Sequence, residues 1–201
     1  MKLMAKRVFD IGMALGALLI LSPILGAVAI WIRLDSPGPA LFRQERVGLA
    51  GRRFQILKFR TMRQDAAVNG PQITVGEDVR ITRAGVFLRR HKLDELPQFF
   101  NVLNGEMSVV GPRPEVPRYV ELYSVEVKKI ILSVRPGITD PASLAFADES
   151  SLLNRAIDPE SHYVNVVMPL KLEHSIQYVQ TQNFRNDLQI IWKTMVAVFY
   201  G

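Results

Sequence analysis

Asp94 and Glu95 stand side by side in a stretch that is otherwise basic. Arg89-Arg90-His91-Lys92 come shortly before them, and Pro112-Arg113-Pro114 follow. Adjacent carboxylates beside arginines suit phosphate chemistry: one acid can attack phosphorus while the other holds a divalent cation. A structural reading competes. Asp is a favoured helix N-cap, Glu suits a first helical turn, and a proline such as Pro97 is tolerated there. The pair alone leaves both readings open, and its surroundings must decide.

Those surroundings are rich in cations. The 201 residues carry 25 Lys and Arg against 19 Asp and Glu, a net charge of +6 with a pI near 9.8. That balance points to a polyanionic partner: nucleic acid, an anionic membrane face or phosphorylated substrates. With no cysteine, disulfide scaffolds, Cys-zinc sites and thiol nucleophiles are excluded. His91, His162 and His174 lie too far apart in sequence to form a zinc-protease helix motif. Neither a Walker-type phosphate loop nor a GxGxxG turn is present.

Two elements must position the cations. Leu41–Val47 and Arg53–Met62 read as β-runs around Gly48–Gly51, which predicts a hairpin. Alternation along Phe54–Arg60 places Lys58 and Arg60 on the face of Phe54 and Ile56. Lys58 is therefore drawn toward the apolar side, where a lysine suits a bound anion better than bulk water. A non-catalytic, membrane-attached polyanion-binding module is the alternative, with Phe54 and Phe59 as stacking aromatics. No nucleic-acid-binding signature accompanies them, and the acid pair opposes a polyanion unless a metal sits there. Nucleic acid is not the expected partner.

Ile11 to Ile32 runs 22 residues without a charge, long enough for a membrane-spanning helix. Ser22-Pro23 interrupts it at the middle, where proline removes a backbone hydrogen bond. Basic residues flank both ends: Lys2, Lys6 and Arg7 before, Arg33 after. A helix broken at Ser22-Pro23 and re-entering the same leaflet satisfies the preference of positive charge for one side, and the Ser22 hydroxyl can meet a freed backbone group. A straight span and a signal peptide cleaved near Ala27-Val28-Ala29 are the competing readings.

The remainder is helix-rich. Arg63 to Asp78 is polar and reads as a mobile loop, turning at Asn69-Gly70-Pro71. Ile81–Arg90 predicts a short helix, and Leu93–Leu103 predicts another with Leu96, Phe99, Phe100 and Leu103 on one face. Pro117–Val134 reads as one amphipathic helix and Thr139–Ser150 as a loop. Pro169–Thr181 and Asp187–Tyr200 predict two more helices, the last with aromatics suited to a membrane interface. The expected fold class is α+β and helix-rich: a re-entrant anchor over residues 1–36, then a catalytic domain over 37–201 with a small β-hairpin and several amphipathic, interfacial helices.

Taken together, these blocks resemble the monotopic phosphoglycosyl transferases, bacterial sugar transferases that start glycan assembly on a polyprenyl carrier. The matching residues are Lys6–Asp10, Ser22-Pro23, Gln44–Gly51, Lys58–Met62, Leu93–Pro114 and Arg135–Thr139, in the family's order. The resemblance implies transfer of sugar-1-phosphate from a UDP-sugar to undecaprenyl phosphate, with UMP leaving. It implies that Asp94 is the nucleophile, that Glu95 joins it in catalysis and binds Mg²⁺, and that Lys58, Arg89, Arg113 and Asp187 bind substrate. It implies a monotopic protein on the cytosolic face of the bacterial inner membrane, in contact with membrane lipids, and leaves a homodimer open. The chain departs from the commoner pattern at Asp140-Pro141-Ala142-Ser143. Asp140 to Glu160 is therefore treated as variable, a region where sugar choice could be set, and no site residue is carried into it. Without the additional membrane helices of larger members in this sequence, the resemblance implies the minimal catalytic form.

Overall fold

The computed structural model describes residues 3–63, 78–146, 149–154 and 156–200. The loop expected at Arg63 to Asp78 lies almost wholly outside them.

The first helix, α1 (Leu3–Asp35), is 33 residues long. Helical backbone runs unbroken through Pro23, so the break in the helix expected at Ser22-Pro23 does not appear. Proline cannot donate to the carbonyl four residues back, that of Leu19. The Ser22 hydroxyl donates to that carbonyl instead, at 2.9 Å.

Strands β1 (Leu41–Val47) and β2 (Arg53–Phe59) form the expected antiparallel hairpin, pairing Leu41 with Phe59 and Val47 with Arg53. The second strand ends at Phe59 and not at Met62. Arg60 turns away, and its guanidinium donates to the carbonyls of Ile32, Ser36 and Pro37, capping the end of α1. Next comes α2 (Arg83–Arg90), started by the Thr82 side chain, which accepts from the Gly85 amide.

Leu93 to Leu103 is not one α-helix. A 3₁₀ turn over Leu93–Glu95 precedes α3 (Gln98–Leu103). Its buried residues are Gln98, Asn101 and Val102, while Phe100 is 44 % exposed. The Asn101 side chain sets this face against the hairpin, accepting from the Leu57 amide and donating to the Gln55 carbonyl.

The next strand, β3 (Ser108–Val110), pairs in parallel with β4 (Gly137–Thr139), a second sheet that hydrophobic patterning did not signal. Between them, the helix expected over Pro117–Val134 divides into α4 (Pro117–Glu121) and α5 (Val125–Ile131). The Ser124 side chain restarts the second by accepting from the Val127 amide. The loop expected over Thr139–Ser150 instead holds the end of β4, α6 (Pro141–Ala145) and the start of α7 (Glu149–Asn154). A short α8 (Pro159–His162) and a π-helical segment over Tyr163–Val167 lead into α9 (Met168–Thr181), and α10 (Phe184–Tyr200) follows.

Both ends of α1 are tied to the same body. Near its start, Lys6 pairs with Asp187 at 2.7 Å, Arg7 donates to the last carbonyls of α3, and Asp10 accepts from Ser108 and the Val109 amide. Near its end, besides the Arg60 cap, Asp35 accepts from the Ala84 amide, and Val28 and Ile32 pack with Phe59 and Leu88. Leu19 and Ile20, between these anchors, are exposed. On α10 an apolar stripe of Phe184, Leu188, Trp192 and Met195 is also open.

Candidate active site

The acid pair lies where β2, the 3₁₀ turn, α2 and the loop after β3 meet. Asp94 is buried inside the 3₁₀ turn, and the capping reading does not hold. The turn and α3 are capped at Lys92 and Pro97, neither with a side-chain cap bond. Asp94 is therefore not held at an α-helix start, as the sequence suggested. Among the described residues no hydrogen bond reaches its carboxylate. Burial, and then the negative charge of Glu95, push it above the ordinary aspartate value, with Lys58, Arg89 and Arg113 pulling the other way.

Glu95 is the opposite case. One of its oxygens, Oε1, accepts from Lys58 Nζ at 2.7 Å and from Arg113 Nη2 at 2.7 Å. Burial opposes its charge, but Arg113 and Lys58 outweigh burial and hold Glu95 well below the ordinary glutamate value. Lys58 reaches this position as strand alternation predicted, with only 17 % of its side chain exposed.

Arg113 sits on a loop held by several backbone hydrogen bonds. The Gly111 amide donates to Thr139, the Gly137 amide to Pro112, and the Arg113 amide to the buried Asp140 carboxylate. Arg46 donates to the Pro114 carbonyl, and the Val47 amide to that of Glu115. The two strands approach so closely that a Cβ on Gly137 would lie 2.1 Å from the Gly111 nitrogen. Glycine is needed there because no side chain fits.

Arg89, on the last turn of α2, is partly buried and feels the Asp94 charge. Its Nε donates to the Thr61 hydroxyl at 2.9 Å. Thus Lys58, Arg89, Asp94, Glu95 and Arg113 come together electrostatically. Asp187 does not join them by any bond. It is fully buried, and its carboxylate accepts from Lys6 and from the Tyr178 hydroxyl at 2.7 Å each. Those contacts tie α1 and α9 to α10. Thr61 and Asp140 carry no role in the sequence reading, yet each holds one of the site arginines.

The residue set fits a magnesium ion. Mg²⁺ commonly takes one or two carboxylates and completes its shell with water and substrate phosphate. Glu95 Oε2 has only a long 3.5 Å contact from Arg113 Nη1, and the buried Asp94 carboxylate beside it accepts no hydrogen bond among the described residues. Among the described residues there is no group of three or more His, Cys, Asp or Glu that could form an all-protein cage.

The profile of the bacterial sugar transferases matches residues 1–201, the whole chain. The chain belongs to this family. Among its curated relatives is the UDP-N-acetylgalactosamine-undecaprenyl-phosphate N-acetylgalactosaminephosphotransferase of Aeromonas hydrophila, 37 % identical over 98 % of this chain and 44 % of the relative. The UDP-glucose:undecaprenyl-phosphate glucose-1-phosphate transferase of Caulobacter vibrioides is 38 % identical over 96 % of this chain and 69 % of its own length. The exopolysaccharide production protein PSS of Rhizobium leguminosarum is 55 % identical over 56 % of this chain and 57 % of its own. This bacterial sugar transferase thus spans less than half of the Aeromonas relative and about two thirds of the Caulobacter one.

Proposed function

We propose that this bacterial sugar transferase moves a sugar-1-phosphate from a UDP-sugar to undecaprenyl phosphate by way of Asp94. An Asp94 oxygen attacks the sugar-bearing phosphorus, the bond from that phosphorus to the bridging oxygen breaks, and UMP leaves with that oxygen. The resulting aspartyl phosphosugar is then attacked by the lipid phosphate, which restores the Asp94 carboxylate and yields the polyprenyl diphosphate sugar. The observation that carries the reading is the unequal state of the two acids. Asp94 is buried, close to three cations and bonded to none, as a nucleophile needs. Glu95 is locked between Lys58 and Arg113, as a nucleophile cannot be.

Lys58, Arg89 and Arg113 offset the charge of the diphosphate so that an anion can approach it. Mg²⁺, held by Glu95 and the substrate phosphates, would add Lewis-acid stabilisation of the same charge. Asp187, bonded to Lys6 and Tyr178, remains the substrate-binding residue that the resemblance implies.

The lipid acceptor requires a site at the membrane surface. Two ends of α1 on one body, an exposed apolar middle and the open stripe on α10 support a monotopic arrangement with α1 entering and leaving one leaflet, and the basic flanks Lys6, Arg7 and Arg33 favour the cytosolic face. The Aeromonas and Caulobacter relatives are named for different sugars, so the donor is taken as a UDP-sugar without further choice. A panel of UDP-sugars with undecaprenyl phosphate and Mg²⁺ tests the reading: UMP should be released with at least one sugar, and Asp94→Asn should abolish release. Substantial turnover by Asp94→Asn would overturn the nucleophile.

A further inference from the structure

We propose that Thr61 is a positioning residue for Arg89, and that it aims the two Nη groups at the phosphoryl group that Asp94 attacks. This inference rests on the transferase reading above. An arginine offers five N–H donors on a planar fork, and its pair of Nη groups suits two phosphate oxygens. Lys58 and Arg113 both spend their shortest bonds on Glu95. Arg89 spends only its Nε, on Thr61. Among the described residues neither of its Nη atoms has a hydrogen-bond partner. A partly buried guanidinium with an open fork, near the Asp94 charge, is a place for an anion.

What fixes that fork is the rigidity of Thr61. Its hydroxyl is on a β-branched side chain with restricted χ1, and the residue is 7 % exposed. Its backbone is clamped as well. The Thr61 carbonyl accepts from the Thr82 amide at 3.0 Å. A Cβ on Gly85 would fall 2.0 Å from that same oxygen, so α2 can rest on Thr61 only because Gly85 has no side chain. The neighbouring Met62 pairs with Ile81. Strand β2 and helix α2 are thereby joined at the residue that grips Arg89. Without the grip, Arg89 keeps its charge but loses its direction.

The test is a double-mutant cycle read by calorimetric binding of UDP in the presence of Mg²⁺, UDP supplying a diphosphate in place of the donor. Thr61→Val keeps the shape and removes the acceptor. It should weaken UDP binding about tenfold, the usual scale for a hydrogen bond to a charged group, with an unchanged melting midpoint. Thr61→Ser should restore most of that loss. In an Arg89→Lys background, where no Nε–H fork remains to be held, Thr61→Val should change nothing further. Thr61→Ala gives a second route should valine perturb folding, with the same expected pattern. An equal loss in both backgrounds, or wild-type binding by Thr61→Val, overturns the positioning role. If instead the wild-type protein binds UDP and shows this cycle but never releases UMP from any UDP-sugar, the transferase reading fails and the Thr61–Arg89 coupling stands.

Discussion

Glu95 holds two cations on one oxygen, and that gives it a measurable weight in stability. Removing one partner of a buried ion pair typically costs about 3–5 kcal/mol, because the remaining charge is left uncompensated. Glu95→Gln strands both Lys58 and Arg113, so metal-free protein should lose about 3 kcal/mol at neutral pH by chemical denaturation. The pH dependence has a definite sign. Glu95 is lowered in the folded state, so its contribution is complete above the ordinary glutamate value of 4.5 and is lost as pH falls through the lower folded value. The gap between wild type and Glu95→Gln should therefore be widest at neutral pH and shrink on acidification below 4.5. A gap independent of pH would contradict the ion-pair account. At this scale the sequence was legible where a local rule applied: alternation placed Lys58 on the inner face of β2. It was silent on Thr61 and Asp140, because their partners Arg89 and Arg113 lie 28 and 27 residues away.

The elements that carry these residues are short and are set by particular contacts. The parallel pairing of β3 with β4 depends on Gly111 and Gly137 facing each other without side chains. Gly137→Ala should cost about 3 kcal/mol or more, at the upper end of overpacking effects, and should lower activity by displacing the Arg113 loop. Wild-type stability in that variant would contradict the contact. Lys92 is strained in a different way. It adopts φ +54 between α2 and the acid pair, a left-handed conformation that costs a side-chain-bearing residue about 1 kcal/mol. Lys92→Gly should raise stability by about that amount, seen as a higher denaturation midpoint. Long or strictly periodic elements, such as the hairpin and the last two helices, could be read from the sequence. Pro117–Val134 could not be divided in advance, because Ser124 restarts the helix without breaking the apolar pattern. The helix at Pro141–Ala145 is too short for periodicity, and its Asp140-Pro141 start reads equally well as a turn.

At the scale of the molecule, one body holds both ends of a long apolar helix and presents an apolar stripe nearby. That arrangement predicts that the flanks of α1 share one side of the membrane. The chain has no cysteine, so Ala5→Cys and Pro39→Cys each give a single, unambiguous label site. Both should react with an impermeant maleimide from the cytosolic side of inverted vesicles, and opposite sidedness would establish a straight span. The sequence showed the apolar length, the proline and the flanking charges, but not that Lys6 and Arg60 tie the two ends to one domain. The central claim is that Asp94 becomes covalently phosphorylated by the donor. Incubation with Mg²⁺ and a UDP-sugar labelled in both the sugar and its phosphate, without lipid acceptor, measures it directly. The account predicts one labelled peptide, containing Asp94, whose label is discharged by undecaprenyl phosphate. Full turnover with lipid but no labelled protein without it would contradict the account and establish direct transfer.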